Sequence, residues 1–214
     1  MRILMHLLDI VFPVNCLVCK KTGSLLCIAC LNDFPKAERQ TEDWVYPLFD
    51  YRHPPMKRAV WLFKYAGKKN LVKTFGENLA EYIMLELSEL EPLENFRNPI
   101  LIPIPLSRKR LKERGYNQAE LLCESILAKN KNLTYMKKVL VKTKETEHQA
   151  RLKDRDNRLK NLIGSFEVVD ISLIKNRNII LVDDVTTTGA TLTEAKKVLR
   201  KAGARKVIGF TLAH

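Results

Sequence analysis

One stretch constrains this chain more than any other: Asn178-Ile-Ile-Leu-Val-Asp-Asp-Val-Thr-Thr-Thr-Gly-Ala-Thr191. Ile179 to Val182 is an unbroken, largely β-branched apolar run bounded by charge, the pattern of a strand covered on both faces. From Thr191 onward Leu192, Ala195, Val198, Leu199 and Ala202 recur on a helical period, and Gly203 is placed to end the helix. The small residues between strand and helix, Gly189 among them, let the backbone approach a ligand closely. A helix starting there points its unpaired first-turn amides, and a dipole worth about half a positive charge, at an anion.

Asp183 and Asp184 narrow that reading. Carboxylates beside a phosphate repel it unless they face other groups, such as sugar hydroxyls or a hydrated Mg²⁺. A ligand with a phosphate at one end and a vicinal diol nearby satisfies both halves. Taken alone, the residues leave open a tight strand-to-helix turn in which Asp and Thr act only as caps. Val182-Asp-Asp-Val-Thr-Thr-Thr-Gly-Ala-Thr191 resembles the phosphoribosyl pyrophosphate (PRPP) motif of type I phosphoribosyltransferases. The resemblance implies that Asp183 and Asp184 hold the ribose 2′- and 3′-hydroxyls. It also implies that Val185, Thr186, Thr187, Thr188, Gly189, Ala190 and Thr191 wrap the 5′-phosphate.

A second signal lies near the start, where Cys16-Leu-Val-Cys19 and Cys27-Ile-Ala-Cys30 place four thiols within fifteen residues. Two tight knuckles joined by a short loop suit a tetrahedral four-cysteine Zn²⁺ site. Soft thiolates also suit an iron–sulfur cluster. Disulfides are disfavoured because no export signal is recognisable and cytosolic thiols stay reduced. Four thiolates leave no open position for a catalytic water, so zinc here is expected to be structural. A segment of this size buries little core, and metal binding on the order of 10 kcal/mol would drive its folding. Cys123 stands on an apolar helix face with Ala119, Leu122 and Ile126 and reads as a buried thiol.

The chain of 214 residues is 46% hydrophobic and 29% charged, a globular composition. Its net charge of +13 attracts polyanions: nucleic acid, an anionic membrane surface, or pyrophosphate-bearing substrates. A merely Lys-rich solvated surface is the bland alternative. No segment reaches the roughly 20 apolar residues that span a bilayer. Met1 to Pro13 has an apolar helical period but no small-residue cleavage site, so a cytoplasmic location is expected, with peripheral membrane association left open.

Two units are expected: a four-cysteine zinc module with an N-terminal helix over residues 1–41, and a main domain over 42–214. Strand patterns at Trp44 to Tyr51, Ile100 to Pro105, Val139 to Lys142, Ile179 to Val182 and Lys206 to Ala213 alternate with helical ones. That alternation predicts an α/β fold with a mainly parallel sheet flanked by helices, its ligand at the carboxyl ends of the strands. Ser107 to Gln118 reads as a dense basic loop running into a helix over Ala119 to Lys129. Lys142 to Lys160, charged and glycine-free, reads as a loop or exposed helix.

Further segments extend the resemblance to one branch, the competence protein F (ComF) family. They are the cysteine module, Phe63-Lys-Tyr65 with Gly67, Pro103-Ile-Pro105, Arg110, Arg114-Gly-Tyr-Asn-Gln118, and the loop pattern Gln149, Leu152, Arg158, Asn161, Phe166. The family resemblance implies a type I phosphoribosyltransferase-like fold, PRPP with Mg²⁺ as ligand, and a role in natural transformation. There the protein would handle single-stranded DNA in the cytoplasm after import, and the inner membrane or the DNA-uptake machinery would be its peripheral partners. Lys64, Arg108, Arg110 and Arg114 are the candidate cations for pyrophosphate or DNA, because guanidinium forks hold phosphate oxygens well. Lys144, Arg151, Lys153, Arg155 and Arg158 could close over the ligand as a lid. Tyr46, Tyr51, Trp61, Tyr65 and Tyr116 are candidate base-stacking surfaces, with core roles expected for most. No residue stands out as catalytic, and no acceptor site is identifiable. An active phosphoribosyltransferase of nucleotide salvage is therefore the alternative to the DNA-uptake reading.

Overall fold

The apolar run at Ile179 lies at the centre of the molecule. The computed structural model describes residues 14–38, 42–145 and 162–214. In chain order its elements are α1 (Ile28–Asn32), β1 (Val45–Phe49), α2 (Pro54–Tyr65), α3 (Leu71–Glu94), β2 (Ile100–Pro103), α4 (Arg108–Arg114), α5 (Gln118–Lys129), β3 (Thr134–Tyr135), β4 (Leu140–Lys142), β5 (Phe166–Val168), β6 (Asn178–Val185), α6 (Ala190–Lys201) and β7 (Lys206–Ala213). Five strands form one sheet in the order β1-β7-β6-β2-β3, and every pairing is parallel. Ile100 to Pro103 of β2 lie against Ile179 to Val182 of β6, while Asp183 lies beside Thr211 of β7.

Alternate residues of β6 go to opposite faces, and both faces are covered, as parallel strands require. Ile180 and Val182, with Ile208, Phe210 and Leu212 of β7, share a core with Phe63 of α2, Phe75 and Leu79 of α3, and Leu122 and Cys123 of α5. Ile179 and Leu181 join Ile100, Ile102 and Val207 under Leu192, Ala195 and Leu199 of α6. The expected helix after Thr191 is thus α6. Gly203 follows its end at φ +92°, a conformation open to glycine at little cost. Cys123 is fully buried.

The cysteine-bearing segment joins the same core. Cys16, Leu26, Leu31 and Phe34 are buried together with the side chains of α2 and α3. The Thr74 hydroxyl of α3 donates to the Leu26 carbonyl at 3.2 Å. The chain that follows runs along β1: the Ala37 amide donates to the Leu48 carbonyl (3.2 Å) and the Asp50 amide to the Pro35 carbonyl (2.9 Å).

Two local expectations differ from what is found. The basic segment after Ser107 is a helix, α4, rather than a loop. Ser107 caps it by accepting from the Arg110 amide, Gly115 closes it at φ +74°, and the Lys, Arg and Glu between them are good helix formers. The strand near Leu140 exists but stands outside the main sheet, where β4 pairs antiparallel with β5. Residues 1–13, and nearly all of the charged loop expected over Lys142 to Lys160, lie outside the described residues. Among the described residues no helix is long and apolar enough to cross a membrane.

α3 and α5 approach closely at Gly76. A methyl group on residue 76 would collide with Cβ and Oγ of Ser125. Gly76→Ala is expected to destabilise the fold by about 1–3 kcal/mol through overpacking, read as a lower thermal midpoint. Ser125→Gly should cost less in the Gly76→Ala background than in the wild type; additive costs would show that the helices are not packed in this way.

Candidate functional site

β6 carries Asp183 and Asp184 to the carboxyl edge of the sheet, and a cavity of about 280 Å³ opens there. Its walls come from several elements: Lys64 and Tyr65 from the end of α2, Arg110 and Arg114 from α4, Gln118 from the start of α5, and Lys142 from β4. Ile104, Pro105 and Leu106, the proline-stiffened exit of β2, supply the apolar part. Asn117 fixes this corner. Its amide donates to the Ile104 carbonyl (3.0 Å) while its carbonyl oxygen caps α5 by accepting from the Ala119 amide (3.0 Å).

The two carboxylates differ in environment. Asp184 is buried and pairs with Lys64 Nζ at 2.9 Å, with Arg114 Nη1 at 4.0 Å. Burial works against the Lys64 charge, but Asp184 more than offsets it and raises the ammonium pKa. Asp183 is half-buried and forms no ion pair among the described residues. Burial, and then the charge of Asp184, pushes its pKa up to about 7. Each carboxylate also curls back onto the chain: Asp183 accepts from the Asp184 amide (2.8 Å) and Asp184 from the Val185 amide (2.7 Å).

Among the described residues that line the cleft, the cations Lys64, Arg110, Arg114 and Lys142 outnumber the carboxylates Asp183 and Asp184. Burial, and then Arg110, pushes Lys142 down to about 8. Burial, and then Arg114, lowers Arg110. Crowded cations of this kind favour a ligand carrying several negative charges. Arg114 is held in place by Gln118 Oε1 at 2.8 Å and lies 5.2 Å from the Tyr65 ring.

Beside the cavity, Val185 to Leu192 with Asp183 line a smaller concavity. The Thr186 amide is anchored to the Ala213 carbonyl at 3.0 Å, which ties the turn to β7. Gly189 has φ +73°, and α6 begins at Ala190. The first helical bond runs from the Thr193 amide to the Gly189 carbonyl (2.9 Å), so the amides just before it have no intrahelical acceptor. The strand, turn and helix start expected from the sequence are therefore present.

The structure therefore gathers Lys64, Arg110, Arg114, Asp183, Asp184 and the Val185–Thr191 turn at one place. Arg108 is exposed on the first turn of α4 and does not line the cavity. Lys142 and Gln118 belong to the site, although sequence reasoning did not single them out. The signal for Gln118 was its place at the end of the Arg114–Gln118 motif; Lys142 had none, because its placement comes from the β4–β5 hairpin. Of the candidate aromatics, Tyr46 stacks on Phe210 at 5.0 Å, and Tyr116 is buried with its hydroxyl donating to the Phe63 carbonyl. Tyr51 lines the cavity, and Trp61 and Tyr65 are exposed.

The four cysteines converge. The Sγ atoms of Cys16, Cys19, Cys27 and Cys30 all lie within 4.8 Å of one another, and those of Cys19 and Cys27 are 3.7 Å apart. Tetrahedral Zn–S bonds of about 2.3 Å imply sulfur–sulfur spacings of about 3.8 Å, so the donor set fits a metal ion such as zinc. The first knuckle turns through Lys20 at φ +64°, its amide donating to the Cys16 carbonyl (3.1 Å). In the second, Cys27 is the N-cap of α1 and Cys30 lies one turn along it.

Two outcomes follow from this geometry. Purified protein is expected to carry one zinc per chain by elemental mass spectrometry. Cys16→Ser should lose it and lower the thermal midpoint, because Cys16 and its neighbours belong to the main core. For Asp183 the native pKa lies above the ordinary carboxylate value, so the native state binds the proton more tightly than the unfolded one. The stabilisation is fully present below about pH 4 and is lost as pH rises from there to about 7. Asp183→Asn should then raise the thermal midpoint more at pH 8 than at pH 4; an equal shift at both would refute the raised pKa.

The phosphoribosyl transferase domain family matches residues 113–214. Competence protein F of Haemophilus influenzae is 32% identical over 161 residues, 74% of this chain and 68% of that protein. Competence protein ComFC of Bacillus subtilis is 34% identical over 158 residues, 73% of this chain but only 59% of that protein, less than two thirds of its length. Among solved structures, the hypoxanthine phosphoribosyltransferase of Trypanosoma cruzi superposes with a TM-score of 0.41 at 14% identity, covering 67% of each chain. The parallel sheet, the turn after β6, the family match and the competence-protein relatives lead to one assignment: the chain belongs to the competence protein F family and has a phosphoribosyltransferase-like fold.

Proposed function

We propose that the cleft binds PRPP, with Mg²⁺ accompanying its pyrophosphate, and that the protein acts in DNA uptake during natural transformation. In this reading it handles single-stranded DNA in the cytoplasm after import, with peripheral contact to the inner membrane or the uptake machinery. The observation that carries the ligand is the adjacency of two unlike subsites. A helix-start cradle for a phosphate lies beside Asp183 and Asp184, with Lys64, Arg110, Arg114 and Lys142 grouped in the adjoining cavity. The 5′-phosphate takes the cradle, the ribose diol donates to the carboxylates, and the pyrophosphate meets the cations. The DNA role draws on the names of the relatives and on the charge of +13.

A second reading, an active phosphoribosyltransferase of nucleotide salvage, draws on the apolar wall from Ile104 to Leu106, against which a flat acceptor could pack. Pyrophosphate release from PRPP with a panel of acceptors, nucleic acid included, separates the two. Release above that of Asp183→Ala establishes transfer chemistry.

Calorimetric titration of PRPP with Mg²⁺ is expected to show binding to the wild type and at least a tenfold loss in Asp183→Ala/Asp184→Ala. Equal affinities would end the ligand assignment. Anisotropy with single-stranded DNA should lose about tenfold or more in affinity between 50 and 200 mM salt; flat or absent binding would remove the DNA role.

A further inference from the structure

We propose that single-stranded DNA lies along the outer face of α2. Two neighbouring bases stack on Trp61 and Tyr65, and the backbone phosphates are met by Lys57, Arg58 and Lys68. The inference rests on the DNA-handling reading above and assigns it a surface.

α2 is split sharply between its two sides. Met56, Ala59, Val60 and Phe63 are buried in the core shared with α3 and the sheet. Lys57, Arg58, Trp61 and Tyr65 face outward, and Trp61 and Tyr65 are 54% and 53% exposed. Spacing of four residues places Lys57, Trp61 and Tyr65 in one row along the helix. The rings of Trp61 and Tyr65 are 6.2 Å apart and inclined at 46°. That separation exceeds the rise of about 3.4 Å per nucleotide along a duplex strand, so the two rings suit bases splayed from one another, as in an extended single strand. An open groove of about 570 Å³ beside Trp61 is lined by Pro54, Lys57, Arg58 and Leu62.

Charge selects the occupant. Between Asp50 and Glu77 the chain has no acidic residue, while Arg52, Lys57, Arg58, Lys64, Lys68, Lys69 and Lys73 supply seven cations. Among the described residues no carboxylate forms an ion pair with Lys57 or Arg58. Protein–protein interface cores are depleted of lysine, whereas aromatic rings set among cations are the surface that sequence-independent single-strand binders present. Duplex DNA keeps its base faces stacked and cannot use the two rings.

The row also has a direction. Tyr65 at its far end is part of the cavity wall, and Arg114 lies over its ring and beside its hydroxyl, at 3.5 Å from Nη2. A strand on Trp61 and Tyr65 therefore ends at the mouth of the ribose-phosphate cleft.

The test uses full-length protein carrying Trp44→Phe, which leaves Trp61 as the sole tryptophan. Titration with oligo-dT should quench its emission. In the otherwise unaltered protein, Trp61→Ala should weaken oligo-dT binding about tenfold, Trp61→Phe should restore most of it, and PRPP binding should be unchanged in both. Lys57→Glu/Arg58→Glu should reduce the slope of log affinity against log salt by about two. If the wild type binds oligo-dT but these variants bind equally well and Trp61 is not quenched, the α2 surface is wrong while DNA handling stands. If sedimentation instead shows Trp61-dependent self-association with unchanged DNA affinity, the face serves a second copy and the inference is overturned. If the wild type binds no single-stranded DNA, the DNA-handling reading itself fails.

Discussion

The ligand end of this molecule is organised around one buried charge. Asp184 is 6% exposed at the tip of β6, and burying a carboxylate charge is costly unless a cation and a polar hydrogen meet it. Lys64 provides the ion pair at 2.9 Å, with Arg114 Nη1 4.0 Å away, and the Val185 amide provides the hydrogen bond. Lys64 lies in the last turn of α2 and Arg114 is the last residue of α4. Satisfying Asp184 therefore pins the ends of two helices to the end of the central strand. Removing one half of such a pair strands the other in low dielectric, a change that typically costs about 3–5 kcal/mol.

Asp183, one residue away, shows what the same burial does to a carboxylate with no cation so close. With Asp184 beside it and desolvation acting on it, its proton is held to about pH 7. Lys64 and Arg114 relieve it only in part, because both also face Asp184. The cleft thus crowds like charges together, Arg110 against Arg114 and Asp183 against Asp184. Strain of this kind is the usual mark of a site rather than of a scaffold.

What was legible from sequence was whatever is encoded locally. The strand, turn and helix from Asn178 onward follow from adjacent residues, and the cysteine spacing contains its own geometry, so both were readable. The helical state of Arg108–Arg114 was carried by Ser107 and Gly115, residues at its two ends, and density of charge masked them. Lys142 was hidden for a different reason. Its placement depends on Leu140–Lys142 pairing with Phe166–Val168 across more than twenty residues, and no local pattern reports such a distance. The sharing of one core by Cys16, Leu26 and Phe75 was equally invisible, because composition shows where a segment ends but not what it packs against.

The chain between the cysteine segment and β1 has one more effect. β1 is an outer strand of the sheet, and its Leu48 carbonyl and Asp50 amide are taken up by Ala37 and Pro35. An outer strand with open backbone groups is a template for another chain, and natural sheets cover or blunt such rims. Here the cover is the tail of the metal-binding segment. A version of this protein trimmed to its phosphoribosyltransferase-like portion would expose that rim, along with the apolar faces that Leu26, Leu31 and Phe34 now occupy. Residues 14–38 thus shield the rim of the sheet as well as gathering four thiols that could hold a metal ion.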